Sequence, residues 1–262
     1  MNGRSLAAVA AVAFALAAGP VRPTAFSPDY SDLWWNSAES GWGIQFVQQA
    51  NVIFATMFVY DVQGNAIWYT ATLDPLSGTL WQGDLYLTRG SWFGGQFSQG
   101  NTAYRMVGKM NVTFATPTSA TLTYGVDGVN VVKPIQRQTL RHENFNGVYA
   151  GLMRLTGSGC SGVPEGTIYA AVAAEVVQGP ASMSVDMAVA TETILLYCLY
   201  SGDYSQSGRF GHSQGSYQCP AGDTGTFTFS EMIVQQWAFS GNFVRRGSDG
   251  CTLTGTFSGI RE

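Results

Sequence analysis

Polar and apolar residues alternate with a period of two along most of this chain. Trp42, Ile44 and Phe46 interleave with Gly43, Gln45 and Val47, as expected of a strand with one buried face. Comparable segments follow at 52–60, 67–73, 80–87, 104–115, 120–126 and 129–138. Short polar or glycine-containing stretches separate them, so neighbours are expected to pair antiparallel, and Asp127-Gly128 is a strong two-residue hairpin signal. The first half thus predicts about seven strands. Segment 52–60 is apolar on both faces, with Ile53, Ala55, Met57 and Val59 against Val52, Phe54, Phe58 and Tyr60. Both faces of that strand should therefore be covered, one by the core and the other by a second domain or a partner.

A polar stretch at 141–146 reads as a linker, and the alternation resumes at 148–155, 167–177, 183–200, 204–206, 211–219, 226–234, 239–245 and 252–260. Segment 167–177 is rich in alanine, but Gly166 and Gly179-Pro180 bracket a strand-sized length, which favours strand over helix. The pattern predicts an all-β protein of two antiparallel meander domains, residues 26–142 and 143–262. Each is expected to be a closed or nearly closed β-barrel, with a β-sandwich as the alternative.

The start of the chain departs from this pattern. Arg4 precedes an apolar run at 6–18 and a small, proline-containing stretch at 19–25, which together read as a secretory signal peptide over residues 1–25. The run is shorter than the ~20 residues a membrane-spanning helix needs, and no later run is long enough, so no membrane span is expected. Export to the periplasm, the outer surface or the medium follows.

Of 13 basic and 17 acidic side chains, Arg4 and Arg22 would leave with the leader, so the remainder carries a net charge of −6. Nucleic acid is therefore not an expected partner. All four cysteines lie in the second half with no CxxC spacing, which in an exported chain reads as disulfides rather than a zinc site. Gly208 suits the first central position of a type II′ turn in Ser207-Gly208-Arg209-Phe210. That register sets Cys198 opposite Cys219 at a spacing a disulfide can bridge, and leaves Cys160 to pair with Cys251.

The segments Leu33-Trp34-Trp35-Asn36 and Glu39-Ser40-Gly41-Trp42-Gly43 resemble a module of bacterial exported proteins with the pattern WWN-x-x-ESGWG. Cys198, Tyr200, Gly202, Tyr204 and Gly250-Cys251 are similar to a companion domain of such proteins. The resemblance implies export and architecture and carries no substrate. A weaker likeness is to calycins, the lipocalin and avidin barrels, and implies that Trp34 or Trp35 stacks on Arg137 and Tyr149 on Arg261.

Candidate chemistry is sparse. Gly211-His212-Ser213-Gln214-Gly215 matches the Gly-x-Ser-x-Gly elbow, but it falls inside a strand segment and no histidine follows it, so a hydrolase triad is not expected. His142 and His212 are the only histidines, and neither a metal nor a cofactor site is predicted. Six of the seven tryptophans lie in the first half, where large rings fill a core that lacks disulfides. Trp35, Asn36, Glu39, Trp42 and Trp68 are the candidate binding residues, for a small apolar molecule or a glycan. The leading expectation is a non-catalytic binding or surface-interaction protein. The alternatives are a carboxylate-dependent hydrolase of envelope or extracellular glycans, with Glu39, Asp61, Asp74 and Asp84 as candidate acids, and a purely structural envelope protein.

Overall fold

The computed structural model describes residues 28–161, 166–192, 195–220 and 222–262. The proposed leader lies outside them. Two closed eight-stranded antiparallel barrels in meander order account for the described residues. The first comprises β1 (Asp32–Trp35), β2 (Gly43–Gln49), β3 (Val52–Tyr60), β4 (Ala66–Ser77), β5 (Leu80–Arg89), β6 (Ala103–Thr116), β7 (Ser119–Val126) and β8 (Val129–Arg137). The second comprises β9 (Gly147–Ser158), β10 (Thr167–Gln178), β11 (Ser182–Ala190), β12 (Leu195–Ser207), β13 (Phe210–Gln218), β14 (Thr224–Val234), β15 (Ala238–Gly247) and β16 (Thr252–Arg261). No helix among the described residues is long and apolar enough to cross a membrane.

Three details differ from the sequence reading. The first barrel has an eighth strand, β1, only four residues long, which closes the barrel by pairing with both β2 and β8. Residues 183–200 are not one strand: the chain reverses after Ala190, and β12 runs unbroken from Leu195 to Ser207. The polar linker also holds a core residue, because Phe145 is fully buried in the second barrel.

Alternation fills each barrel with apolar side chains. Ile44, Phe46, Ile53, Ala55, Met57, Leu73 and Leu85 are almost wholly buried in the first and form its core. Both barrels close one end in the same manner. Trp34 Nε1 donates to the Tyr30 carbonyl four residues earlier at 3.0 Å, and the Tyr30 ring stacks on Phe114 at 3.5 Å. In the second barrel the Tyr149 hydroxyl donates to the Phe145 carbonyl, also four residues earlier, at 2.9 Å.

An arginine at the end of the last strand completes each closure. Arg137 lies 5.0 Å from the Trp34 ring centre and donates to the Asp29, Ser31 and Pro117 carbonyls and to the Asp32 carboxylate. Arg261 faces Tyr149 across the β9–β16 ladder and donates to the Asn146 carbonyl. It therefore braces the backbone beside the plug instead of stacking as Arg137 does.

The β12–β13 hairpin joins the barrels. Ser207 pairs with Phe210 and Tyr200 with Tyr217, and Gly208 at φ +60° supplies the left-handed residue that such a turn requires. The hairpin tip packs on the Arg137 end of the first barrel. Arg137 sits 4.4 Å over the Phe210 ring, Arg209 pairs with Asp29, and the Gly208 amide donates to Thr139 Oγ1. A β-carbon at Gly208 would fall 2.4 Å from Asp32 Oδ2, so glycine serves both the turn and the close approach. The same register brings Cys198 to Cys219, with Cα atoms 4.2 Å apart, and the second disulfide joins Cys160 to Cys251.

Candidate functional site

The residues nominated from sequence fall on two different surfaces. Trp42 carries the inward parity of Ile44 and Phe46 and packs half-buried against the first core. Its Nε1 donates to Glu39 Oε2 at 3.1 Å. Lys133 pairs with the same carboxylate, and this hydrogen bond is the main reason that the Glu39 carboxyl sits below its ordinary range. Asn36 accepts the Ala38 amide through its side chain and the Glu39 amide through its carbonyl. These three residues therefore shape the β1–β2 connection and tie it to β8.

Trp35 and Trp68 take the opposite parity and point outward. Trp34 pairs with Ile44, so continuing that register sets Trp35 beside Gly43. Gly43 pairs with Phe58, and Phe58 pairs with Trp68. One row on the outer face of β1 to β4 thus reads Trp35, Gly43, Phe58, Trp68. Phe58 and Trp68 remain 48% and 49% exposed, whereas Trp35 is half-buried.

The next outward row is polar, since Gln45 pairs with Thr56 and Thr56 with Thr70. Beyond it Val47 pairs with Phe54 and Phe54 with Thr72. Tyr60, 57% exposed, extends the aromatic side toward the end of the sheet. The second barrel therefore does not supply the cover expected for the outer face of β3. The inner residues of this strand fill the first barrel, the second barrel docks at the Arg137 end, and the outer aromatics stay open to solvent. Neighbouring strands lie about 4.8 Å apart, so the rings of this row form a shallow ledge on a rigid sheet rather than a pocket.

Other candidate groups have structural partners. Asp61 accepts the Gln63 and Asn65 amides within the β3–β4 turn, and the Asn65 backbone bond above all holds its carboxyl low. Asp84 pairs with Lys109. Ser213 lies within β13 with its side chain fully buried, which is not the exposed turn that a nucleophile elbow requires. Among the described residues no group of three or more histidine, cysteine, aspartate or glutamate side chains could hold a metal ion. Phe58, Tyr60 and the polar row were not singled out from sequence, although their shared parity on β3 was visible there. No family model and no curated protein matches the chain.

Proposed function

We propose that this is an exported, non-catalytic binding protein that holds a glycan chain on the outer face of its first barrel. The observation that carries this reading is the outer-face row of half-buried Trp35 and exposed Phe58 and Trp68, flanked by Gln45, Thr56 and Thr70. Flat rings cover the C–H face of a sugar, and a parallel row of amide and hydroxyl groups serves its hydroxyls. A small apolar molecule would want enclosure, which an open ledge does not supply. The two disulfides are consistent with an oxidising compartment.

Two of the candidate acids of the first barrel are poorly suited to act as a glycosidase acid. Glu39 and Asp61 are both held low by their hydrogen-bond donors, whereas a glycosidase acid must keep its proton near neutral pH. A direct test is affinity electrophoresis through gels containing xylan, soluble cellulose derivatives or solubilised peptidoglycan. The wild-type protein is expected to be retarded by at least one of them. Trp68→Ala should weaken that retention about tenfold with an unchanged far-ultraviolet spectrum, because Trp68 supports no core contact. Unretarded migration of the wild-type protein in every gel would refute the reading.

A further inference from the structure

A concave surface lies at the junction of the barrels, a cleft of about 560 Å³ bordered by Asp29 of the first barrel and by strands of the second. Its floor is the outer face of β15 and β16, where Asn242 pairs with Thr256 and Thr256 with Arg154 of β9. Arg154 in turn faces Tyr169 of β10, whose ring is 70% exposed. The floor side chains Ser240, Asn242, Thr256 and Ser258 are short and polar, and Leu152, 62% exposed, adds an apolar edge beside Ser258. The only polar side-chain contact of Arg154 among the described residues is with Thr167 Oγ1 at 3.4 Å, and it has no acidic partner there.

The opposite wall is built with irregular backbone. The β13–β14 ladder shifts register between Gly211 and Ser213, and the β14–β15 ladder shifts between Ser230 and Ile233. Both shifts converge on Glu231, which adopts φ +51°. A non-glycine residue in this region is costly, and bulges of this kind re-aim a side chain. Here the bulge brings Glu231 to the cleft. Arg209 reaches the same cleft with one nitrogen on Asp29 at 2.5 Å, while its Nε is buried with no hydrogen-bond partner. That nitrogen is closed off from solvent, so Arg209, whose side chain is 39% exposed, meets the cleft through the outer part of its guanidinium.

From this arrangement we infer that the cleft is a separate binding site for a hydroxylated monocarboxylate, an acidic sugar of the uronate class. Arg154 and the free edge of Arg209 receive the carboxylate, Glu231 and Asn242 take hydroxyls, and Tyr169 covers the apolar face of the ring. Asp29 is already held by Arg209, which leaves Arg154 as the cation without an acidic partner among the described residues and suits one carboxylate, while Glu231 opposes the second charge of a phosphate dianion. This inference does not rest on the outer ledge of the first barrel.

Ligand-observed saturation-transfer NMR titrations of the full chain with glucuronate, glucose and glucose 1-phosphate test it. Glucuronate should bind at least about tenfold more tightly than glucose, and Arg154→Ala should remove that preference. Tyr169→Ala should weaken both sugars, and Trp68→Ala should leave glucuronate binding unchanged. Arg154 and Tyr169 are exposed, so neither substitution threatens the fold. Absence of glucuronate binding, equal binding of glucose, tighter binding of glucose 1-phosphate, or an Arg154→Ala variant that binds glucuronate like wild type would each overturn the inference. Loss of glucuronate binding in Trp68→Ala would do so too, by moving the sugar to the other surface.

Discussion

Arg137→Ala is expected to destabilise the first barrel by about 3–5 kcal/mol, the range for removing one partner from a buried charged network. Arg137 is 1% exposed, and its guanidinium satisfies the Asp29, Ser31 and Pro117 carbonyls together with Asp32. Burial pulls its pKa down while the hydrogen bond and charge of Asp32 push it back up, so the network works against a real desolvation cost. Alanine would leave four acceptors facing each other at the closed end of the barrel. It would also remove the Phe210 contact that seats the second barrel. Urea denaturation followed by tryptophan fluorescence should show the midpoint of the first barrel falling, since six of the seven tryptophans report on it. Arg137→Lys should recover only part of the loss, because one ammonium with three donors cannot replace a planar fork that reaches four acceptors. A lysine variant as stable as wild type would show that charge alone, and not the fork geometry, holds the closure.

Loss of the disulfides should act almost entirely on the second barrel. In the chain-entropy description, the bridge across a separation of 21 residues contributes about 3 kcal/mol and that across 91 residues about 4.6 kcal/mol. The first links β12 to the residue that follows β13. The second ties the end of β9 to the turn before β16, where the barrel seam closes. Reduction, or Cys160→Ala with Cys251→Ala, should therefore split unfolding into two steps, the second barrel melting before the first. Scanning calorimetry resolves this directly. A single shifted transition would mean that the β12–β13 hairpin couples the barrels more strongly than either bridge stabilises its own.

The sequence carried some of this architecture in short-range signals. Gly208 in a four-residue turn set the β12–β13 register, and that register placed Cys198 against Cys219. The period-two alternation of β3 separated Ile53, Ala55 and Met57 from Phe54 and Phe58. Features that depend on closure were not legible. β1 is too short to show alternation, and its role appears only when β8 returns to it. The reversal between β11 and β12 has neither glycine nor proline to mark it. Phe145 sits in a polar stretch because only one residue of that segment is needed to plug the barrel.

The candidate site divides along the same line. Trp35 and Trp68 were recognisable as unusual aromatics, but parity about Gly43 separates them from Trp42 and joins them instead to Phe58. The junction cleft depends on β9 meeting β16 across some hundred residues and on a left-handed glutamate. A glutamate gives no warning of that conformation, as a glycine or asparagine would.

Hydroxyl-radical footprinting with a retained polysaccharide, read residue by residue by mass spectrometry, tests the glycan-ledge reading most directly. Trp92 and Trp237, 71% and 67% exposed, lie outside the proposed ledge and serve as internal references. Bound polysaccharide should protect Phe58, Tyr60 and Trp68 from oxidation and leave Trp92 and Trp237 as reactive as in the free protein. Protection of Trp92 with Trp68 and Phe58 unchanged would contradict the account.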